Sequence, residues 1–266
     1  PIPMASMNKV KNVTELKKWE ISKKIDKDEI VIITPKYDGL SLCVNESNKK
    51  DAYTRGNGEY GQKSNTHYEK IDNKLSTNIN DISYSIGEVI MPKYTFNDKY
   101  SDNYSNSRNL VSGLLNSDKA SDMLMDCHYI KYNAILATED RFITKQQILD
   151  YLNNNQEHKV KYKIYKLSDL TDEILISLYN EFSDIYEIDG LIIEINDINI
   201  QKKLGKEKSN NPAYARAYKN ELFEKNVEAE VLNITWNISK RGLLKPTINI
   251  KPVVIDNVTV SNITGN

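Results

Sequence analysis

Lys36-Tyr37-Asp38-Gly39 follows closely on the apolar run Ile30-Val31-Ile32-Ile33, and Thr54-Arg55-Gly56-Asn57-Gly58-Glu59-Tyr60-Gly61 comes shortly after it. A lysine at the end of a buried strand, beside an aspartate and a tight glycine turn, has the makings of a covalent nucleophile. Its amine attacks only when neutral, a form that desolvation and neighbouring cations favour. The competing reading is a strand-end lysine reaching solvent, because Lys-x-Asp-Gly turns are common on surfaces. What separates the two is whether the rest of the chain supplies a complete site.

The elements that would position these residues are legible in outline. Thr14 reads as a helix N-cap, with Glu15 in the first turn and Leu16, Trp19 and Ile25 on the apolar side. Strand-like runs follow at 29–34, 40–45 and 51–55, and 82–91 reads as a strand-pair region closed by Pro92. Residues 93–107, rich in Asn, Asp, Ser and Tyr, read as an exposed loop. Helices are predicted at 108–115, 143–152, 172–182 and 198–204, the last ended by Gly205. Strands are predicted at 129–136 and 188–195, with an edge strand at 159–165. After Asn220 the texture changes to short strands at 228–238, 247–254 and 257–263 around Ser239-Lys240-Arg241-Gly242. A second, all-β module therefore begins near residue 227. At roughly 40 residues it is too short to bury a core alone.

Composition excludes several classes. The 266 residues are 39% hydrophobic and 27% charged, a globular balance with room for one or two domains. A net charge of −1 leaves any nucleic-acid contact to local patches. Cys43 and Cys127, with His67, His128 and His158, form no zinc-ligand spacing and no disulfide framework, so a reducing, cytoplasmic setting is the simpler expectation. No apolar run approaches the roughly 20 residues that span a bilayer, so no membrane partner is expected. A first residue of Pro1 reads as a processed or truncated product.

Taken in order, the motifs resemble the adenylation domain of NAD-dependent DNA ligases, members of the covalent nucleotidyltransferase superfamily. Pro3-Met4-Ala5-Ser6-Met7 is similar to the family's Pro-Met-Leu-Ser-Leu entry segment. Lys36-Tyr37-Asp38-Gly39 is similar to its nucleophile motif, and Thr54-Arg55-Gly56-Asn57-Gly58 to Thr-Arg-Gly-Asp-Gly. Gly87-Glu88-Val89-Ile90-Met91-Pro92 looks like Gly-Glu-Val-Phe-Leu-Pro, and Asn106-Ser107-Arg108-Asn109 stands for Asn-Pro-Arg-Asn. Glu187-Ile188-Asp189-Gly190-Leu191-Ile192-Ile193 resembles Asp-Ile-Asp-Gly-Val-Val-Ile, and Tyr214-Ala215-Arg216-Ala217-Tyr218-Lys219 resembles Trp-Ala-Val-Ala-Phe-Lys. Ser239-Lys240-Arg241-Gly242, Pro246 and Lys251-Pro252-Val253 are similar to the start of the family's OB-fold.

The resemblance implies an α+β fold: an ATP-grasp-like adenylation domain of antiparallel sheets with flanking helices over 1–226, and the first strands of an incomplete OB-fold over 227–266. It implies lysyl-AMP formation at Lys36, AMP transfer to a DNA 5′-phosphate and nick sealing, with NAD and Mg2+ as cofactors and nicked double-stranded DNA as partner. Asp38 would orient the nucleophile loop, and Lys219 would neutralise phosphate. Glu88 would meet ribose, Arg55 ribose or phosphate, Tyr132 the adenine face, and Ser6 and Met7 would lie over the adenylate. Asp189, with Glu88, would hold metal. Arg108, Lys240, Arg241 and Lys245 would touch DNA. Ordinary structural roles compete at each position, most strongly for Tyr132, which reads equally well as a half-buried core tyrosine.

Departures from the pattern define the rivals. Glu194 stands where the family has lysine, which requires a compensating cation or leaves adenylation slow or absent. Thr34 replaces the glutamate that reads the adenine amine, Ile86 and Asn116 replace arginines, and Gln62 replaces a glutamate. Lys240 keeps a charge but loses an arginine's forked donor. The upstream nicotinamide-binding domain is not among these motifs, so a second polypeptide supplying nicotinamide- or DNA-binding parts is one expectation. A non-catalytic ligase-like scaffold is one alternative, and an ATP-using DNA or RNA ligase is another. The Lys- and Asn-rich composition points to a virus or phage with an AT-rich genome, acting in host cytoplasm.

Overall fold

The structure is a computed structural model that describes residues 4–47, 51–58, 60–72, 82–136, 141–223, 227–239, 242–255 and 258–265. Its elements begin β1 (Lys9–Val10), α1 (Val13–Lys23), β2 (Ile30–Tyr37), β3 (Leu40–Asn45), β4 (Ala52–Thr54) and α2 (Asn65–Tyr68). They continue β5 (Ile82–Ile90), α3 (Lys93–Lys99), α4 (Ser107–Asn116), β6 (His128–Leu136), α5 (Lys145–Asn155) and β7 (Lys163–Lys166). Then come α6 (Asp172–Phe182), β8 (Ile188–Ile195), α7 (Ile198–Leu204), β9 (Ala215–Tyr218), β10 (Val231–Ile238), β11 (Leu244–Ile255) and β12 (Val258–Thr264).

The strands form a five-stranded sheet in the order β1-β9-β8-β2-β7, a four-stranded sheet β4-β3-β5-β6, and a three-stranded sheet β10-β11-β12. Among the described residues, every strand pairing is antiparallel except β1 with β9, which is parallel. Two strand residues cannot announce themselves in a sequence, and β1 exists because its partner, over 200 residues away, offers an open edge.

Each of the two large sheets has its own core. Leu16 and Trp19 of α1 and Leu175, Leu178 and Phe182 of α6 pack with Val31, Ile33, Leu191, Ile193 and Ile195 of the central strands. Leu110, Val111, Leu114 and Leu115 of α4 do the same with Leu42, Val44 and Val89. The spacing of those leucines at helical period is why 172–182 was predictable residue for residue.

Three expectations need correction. The cap of α1 is Asn12, whose side chain accepts from the Glu15 N–H at 2.9 Å, and Thr14 lies within the first turn. The stretch 82–91 contains one strand, β5, rather than a strand pair. The first half of 93–107 is helix α3, hidden from composition because Phe96 is its one buried side chain.

Gly39 is fixed by close approach: a Cβ there would lie 2.2 Å from the Val89 carbonyl oxygen. Gly39→Ala should therefore cost about 1–3 kcal/mol through displaced backbone. A lower urea midpoint with an unchanged slope would show it.

The C-terminal sheet fits an OB-like module. Val231, Ile234, Trp236 and Ile238 of β10 are exposed, and Ile250 is the buried hydrophobic residue of the sheet among those described. The expected strands are present, although Lys240 and Arg241 of the connecting turn lie outside the described residues.

Candidate active site

The Lys36-Tyr37-Asp38-Gly39 turn lies where the two large sheets meet. β2 delivers Lys36 from the five-stranded sheet, and β3 begins the four-stranded sheet at Leu40. The Asp38 N–H donates to the Glu187 carbonyl at 2.9 Å, tying the turn to the start of β8. Arg108, at the start of α4, forms an ion pair with the Asp38 carboxylate. The turn is thus braced from both sides.

A cleft of about 590 Å³ opens above it. Its lining includes Ser6, Met7, Lys36, Arg55, Glu88, Arg108, Tyr132, Asp189 and Lys219, so the fold brings together nearly every residue singled out by sequence. Lys245 lies elsewhere, exposed on β11, and Lys240 and Arg241 lie outside the described residues. The entry segment is held over the cleft by the Met4 N–H, which donates to the Gly58 carbonyl at 3.1 Å.

The centre of the cleft is a carboxylate between two ammoniums. Lys36 Nζ lies 2.8 Å from Asp189 Oδ1 and 3.0 Å from Oδ2, and Lys219 Nζ lies 2.6 Å from Oδ2. Burial alone would raise the Asp189 pKa, but the two ammoniums outweigh it and hold the carboxyl below its usual range. Asp189 Oδ1 is buried and has no aligned hydrogen-bond donor, although the Lys36 ammonium stands 2.8 Å from it. Gly190 lets β8 carry this aspartate against β9, since a Cβ there would lie 2.5 Å from the Tyr218 carbonyl oxygen.

Glu88 stands across the cleft on β5. Its Oε2 accepts from Ser41 Oγ at 2.9 Å, and burial pushes its pKa up to about 7 against the opposing pull of Ser41, Lys36, Arg55 and Arg108. Tyr132 is half-buried in the cleft wall, and desolvation, then the Glu88 carboxylate, raise its hydroxyl pKa against the opposing hydrogen bond with Ser41.

The residue that sequence reasoning missed is Lys145. Thr144 caps α5 with a full capping box, and Asn196 receives the Lys145 N–H on its carbonyl and the Gln146 N–H on its side chain. The first helical residue is thereby fastened to the end of β8, and its side chain turns into the cleft. Lys145 Nζ lies 3.5 Å from Glu194 Oε2, with the two side chains only 7% and 9% exposed. Lys145 thus supplies a cation beside Glu194, one of the two outcomes the sequence left open. A lysine at a helix start reads as a solvated residue, and only a polar residue at the end of the apolar run 188–195 signalled that something must meet it.

Among the described residues, Asp72, His128 and His158 bring three ligand-type atoms within 4.8 Å of one another, outside this cleft. The two imidazoles stack at 3.6 Å with planes 5° apart, so their in-plane lone pairs do not converge on one point. Burial, then His158, depresses the His128 pKa to about 4. A depressed folded-state pKa contributes stability that is present above the unfolded value near 6.5 and lost as pH falls toward 4. Wild type should lose on the order of 1 kcal/mol between pH 7 and pH 5, and His128→Gln should flatten that difference in denaturant melts.

The profile of the NAD-dependent DNA ligase adenylation domain matches residues 1–222. The chain belongs to that family. Protein 205R of Invertebrate iridescent virus 6, which carries a DNA ligase name, is 36% identical over the whole chain, which covers 43% of that relative. A DNA ligase of Acanthamoeba polyphaga mimivirus is 33% identical, again over the whole chain and 40% of the relative. One from Mesomycoplasma hyopneumoniae strain 7448 is 28% identical over 98% of the chain and 41% of the relative. The ligase-family chain thus spans about two fifths of the length of these relatives. A solved structure of a Lig E DNA ligase superposes with a TM-score of 0.50 at 12% identity, covering 93% of this chain and 81% of that one, a likeness of fold. No helix among the described residues is long and apolar enough to cross a membrane.

Proposed function

We propose that the cleft performs the nucleotide-activating half of DNA ligation. The observation that carries this reading is the convergence of Lys36 and Lys219 on Asp189 opposite Glu88. In the first step Lys36 Nζ loses a proton and attacks the α-phosphorus of NAD. A P–N bond forms, the P–O bond to nicotinamide mononucleotide breaks, and AMP stays on the lysine as a phosphoramidate. AMP then passes to a DNA 5′-phosphate at a nick, and the neighbouring 3′-hydroxyl displaces it.

Each residue has a part in this reading. Asp189 aims the Lys36 amine, and Lys219 offsets charge on the phosphate. Glu88 accepts from the ribose hydroxyls, Arg55 reaches ribose or phosphate, and Tyr132 offers its ring to the base. Ser6 and Met7 roof the adenylate, and the Asp38–Arg108 pair keeps the nucleophile turn in place. The buried Asp189 carboxylate, whose Oδ1 has no aligned hydrogen-bond donor, suits magnesium, with Glu88 as the second carboxylate on the opposite wall. When bound, the ion supplies charge neutralisation on the phosphate. Lys240, Arg241 and Lys245 would meet the DNA backbone, where positive charge suffices. We place the module boundary near residue 227, and assign nicotinamide recognition to segments other than these, on this polypeptide or a second one. The bacterial and viral relatives fit a cytoplasmic setting.

The test is intact mass after incubation with magnesium and either NAD or ATP. The expected result is one added AMP from NAD, abolished in Lys36→Ala. No adduct from either nucleotide, with the remaining length of the relatives restored, would favour the scaffold alternative. An adduct from ATP alone would favour an ATP-using ligase.

A further inference from the structure

The Lys145–Glu194 pair has a chemistry that the phosphate end of the cleft does not explain. Asp189 and Glu194 lie five residues apart on β8, so the pair stands about 16 Å along the strand from the carboxylate that holds Lys36. A nucleoside monophosphate with a hydrogen bond at each end fills a span of that order. Around the pair the cleft wall is largely uncharged, with Lys9 beside Ala217 as a further cation of the lining. Thr34 and Ile192 face each other across β2 and β8, Ala217 follows on β9, and Tyr214 lies near the glutamate.

A buried ion pair is a weak source of stability, because desolvation offsets most of the attraction. This one is also incompletely used. Glu194 Oε1 accepts from Gln201 Nε2 at 3.1 Å, which fixes the carboxylate. The ammonium stands 3.5 Å from Oε2, longer than a good hydrogen bond, and has three donors to place. Cleft-facing capacity therefore remains on both groups, an acceptor beside a donor. Adenine presents the complementary pattern on its Watson–Crick edge, an exocyclic amine beside a ring nitrogen acceptor. Hypoxanthine presents the reverse, a carbonyl oxygen beside a ring N–H.

Resting on the adenylate reading of the cleft, we propose that Lys145 and Glu194 together select the base. Glu194 accepts from the adenine amine, and Lys145 donates to the adjacent ring nitrogen. The pair takes over base reading at a site where Thr34 carries no charge, and it does so from a helix start that belongs to none of the motifs.

The experiment measures AMP and inosine 5′-monophosphate binding to the 266-residue chain by calorimetry. Wild type should prefer AMP by roughly tenfold to a hundredfold, the discrimination expected of a two-point polar contact. Lys145→Glu combined with Glu194→Lys keeps an ion pair but inverts its polarity, and should reverse the preference. Should that double variant fail to fold, Lys145→Met should weaken AMP binding while narrowing the AMP-to-inosine ratio. Equal binding of the two nucleotides by wild type, or an AMP preference that survives in the folded variants, overturns the base-selecting role and leaves the adenylate cleft standing. A folded wild type that binds neither nucleotide overturns both.

Discussion

Asp189→Ala should reduce lysyl-AMP formation about a thousandfold, the scale on which a preorganised electrostatic contact acts. In the present geometry one carboxylate holds two ammoniums, at 2.8 Å and 2.6 Å. Its removal leaves Lys36 and Lys219 as unpaired like charges, which repel and turn toward solvent. The nucleophile would remain on the chain but lose its aim at the phosphorus, so the loss should fall on the rate rather than on nucleotide affinity. Single-turnover adenylation followed by intact mass separates the two. An unchanged single-turnover rate with weakened nucleotide binding would reassign Asp189 to ground-state contact. Asp189→Asn keeps the shape and loses the charge, and should behave closer to alanine than to wild type.

The second large effect runs in opposite directions for stability and activity. Burial lifts the Glu88 pKa to about 7 from 4.5. A raised folded-state pKa means that the folded protein holds its proton more tightly than the unfolded chain. The resulting stability is fully present below 4.5 and is lost as pH rises through 7. At pH 8 the buried carboxylate costs on the order of 3 kcal/mol relative to an unperturbed one. Glu88→Gln has nothing to ionise, so it should melt above wild type at pH 8 and converge with it toward pH 4.5. The same variant should bind AMP more weakly by tenfold or more, since an amide oxygen is a poorer acceptor for ribose hydroxyls than a carboxylate. Thermal melts across this pH range, paired with calorimetry, check both halves. A variant no more stable than wild type at pH 8 would show that Ser41 and the surrounding cations already compensate the burial.

How far the chain could be read without coordinates depended on whether each residue's role was local. Helix α6 and strand β8 were read with the bounds observed, because Ile174, Leu175, Leu178 and Tyr179 repeat at helical spacing and 188–195 is an apolar run. Lys36, Asp189 and Lys219 were legible because each sits within a recognisable string. Their meeting in one site was implied by the family resemblance alone, since 153 residues separate the first two and no local pattern links them. Lys145 was missed altogether. Its burial comes from Asn196 holding the start of α5 against the end of β8, a contact that no window around residue 145 contains. The cap of α1 was misplaced by two residues because Asn12 and Thr14 are both good caps, and backbone geometry decides between them.

The division of the cleft between two sheets has a mechanical side. Lys36, Asp189 and Lys219 belong to, or directly follow, strands of one sheet, and Glu88 and Ser41 belong to the other. Within the cleft, the backbone crosses between them at the short turn through Asp38 and Gly39. A nucleotide gripped by its phosphate on one side and its ribose on the other would be a cross-tie bolted across that joint. Each catalytic cycle would then load the joint when AMP is seized and slacken it when AMP departs, so the reactant would also serve as a temporary structural member.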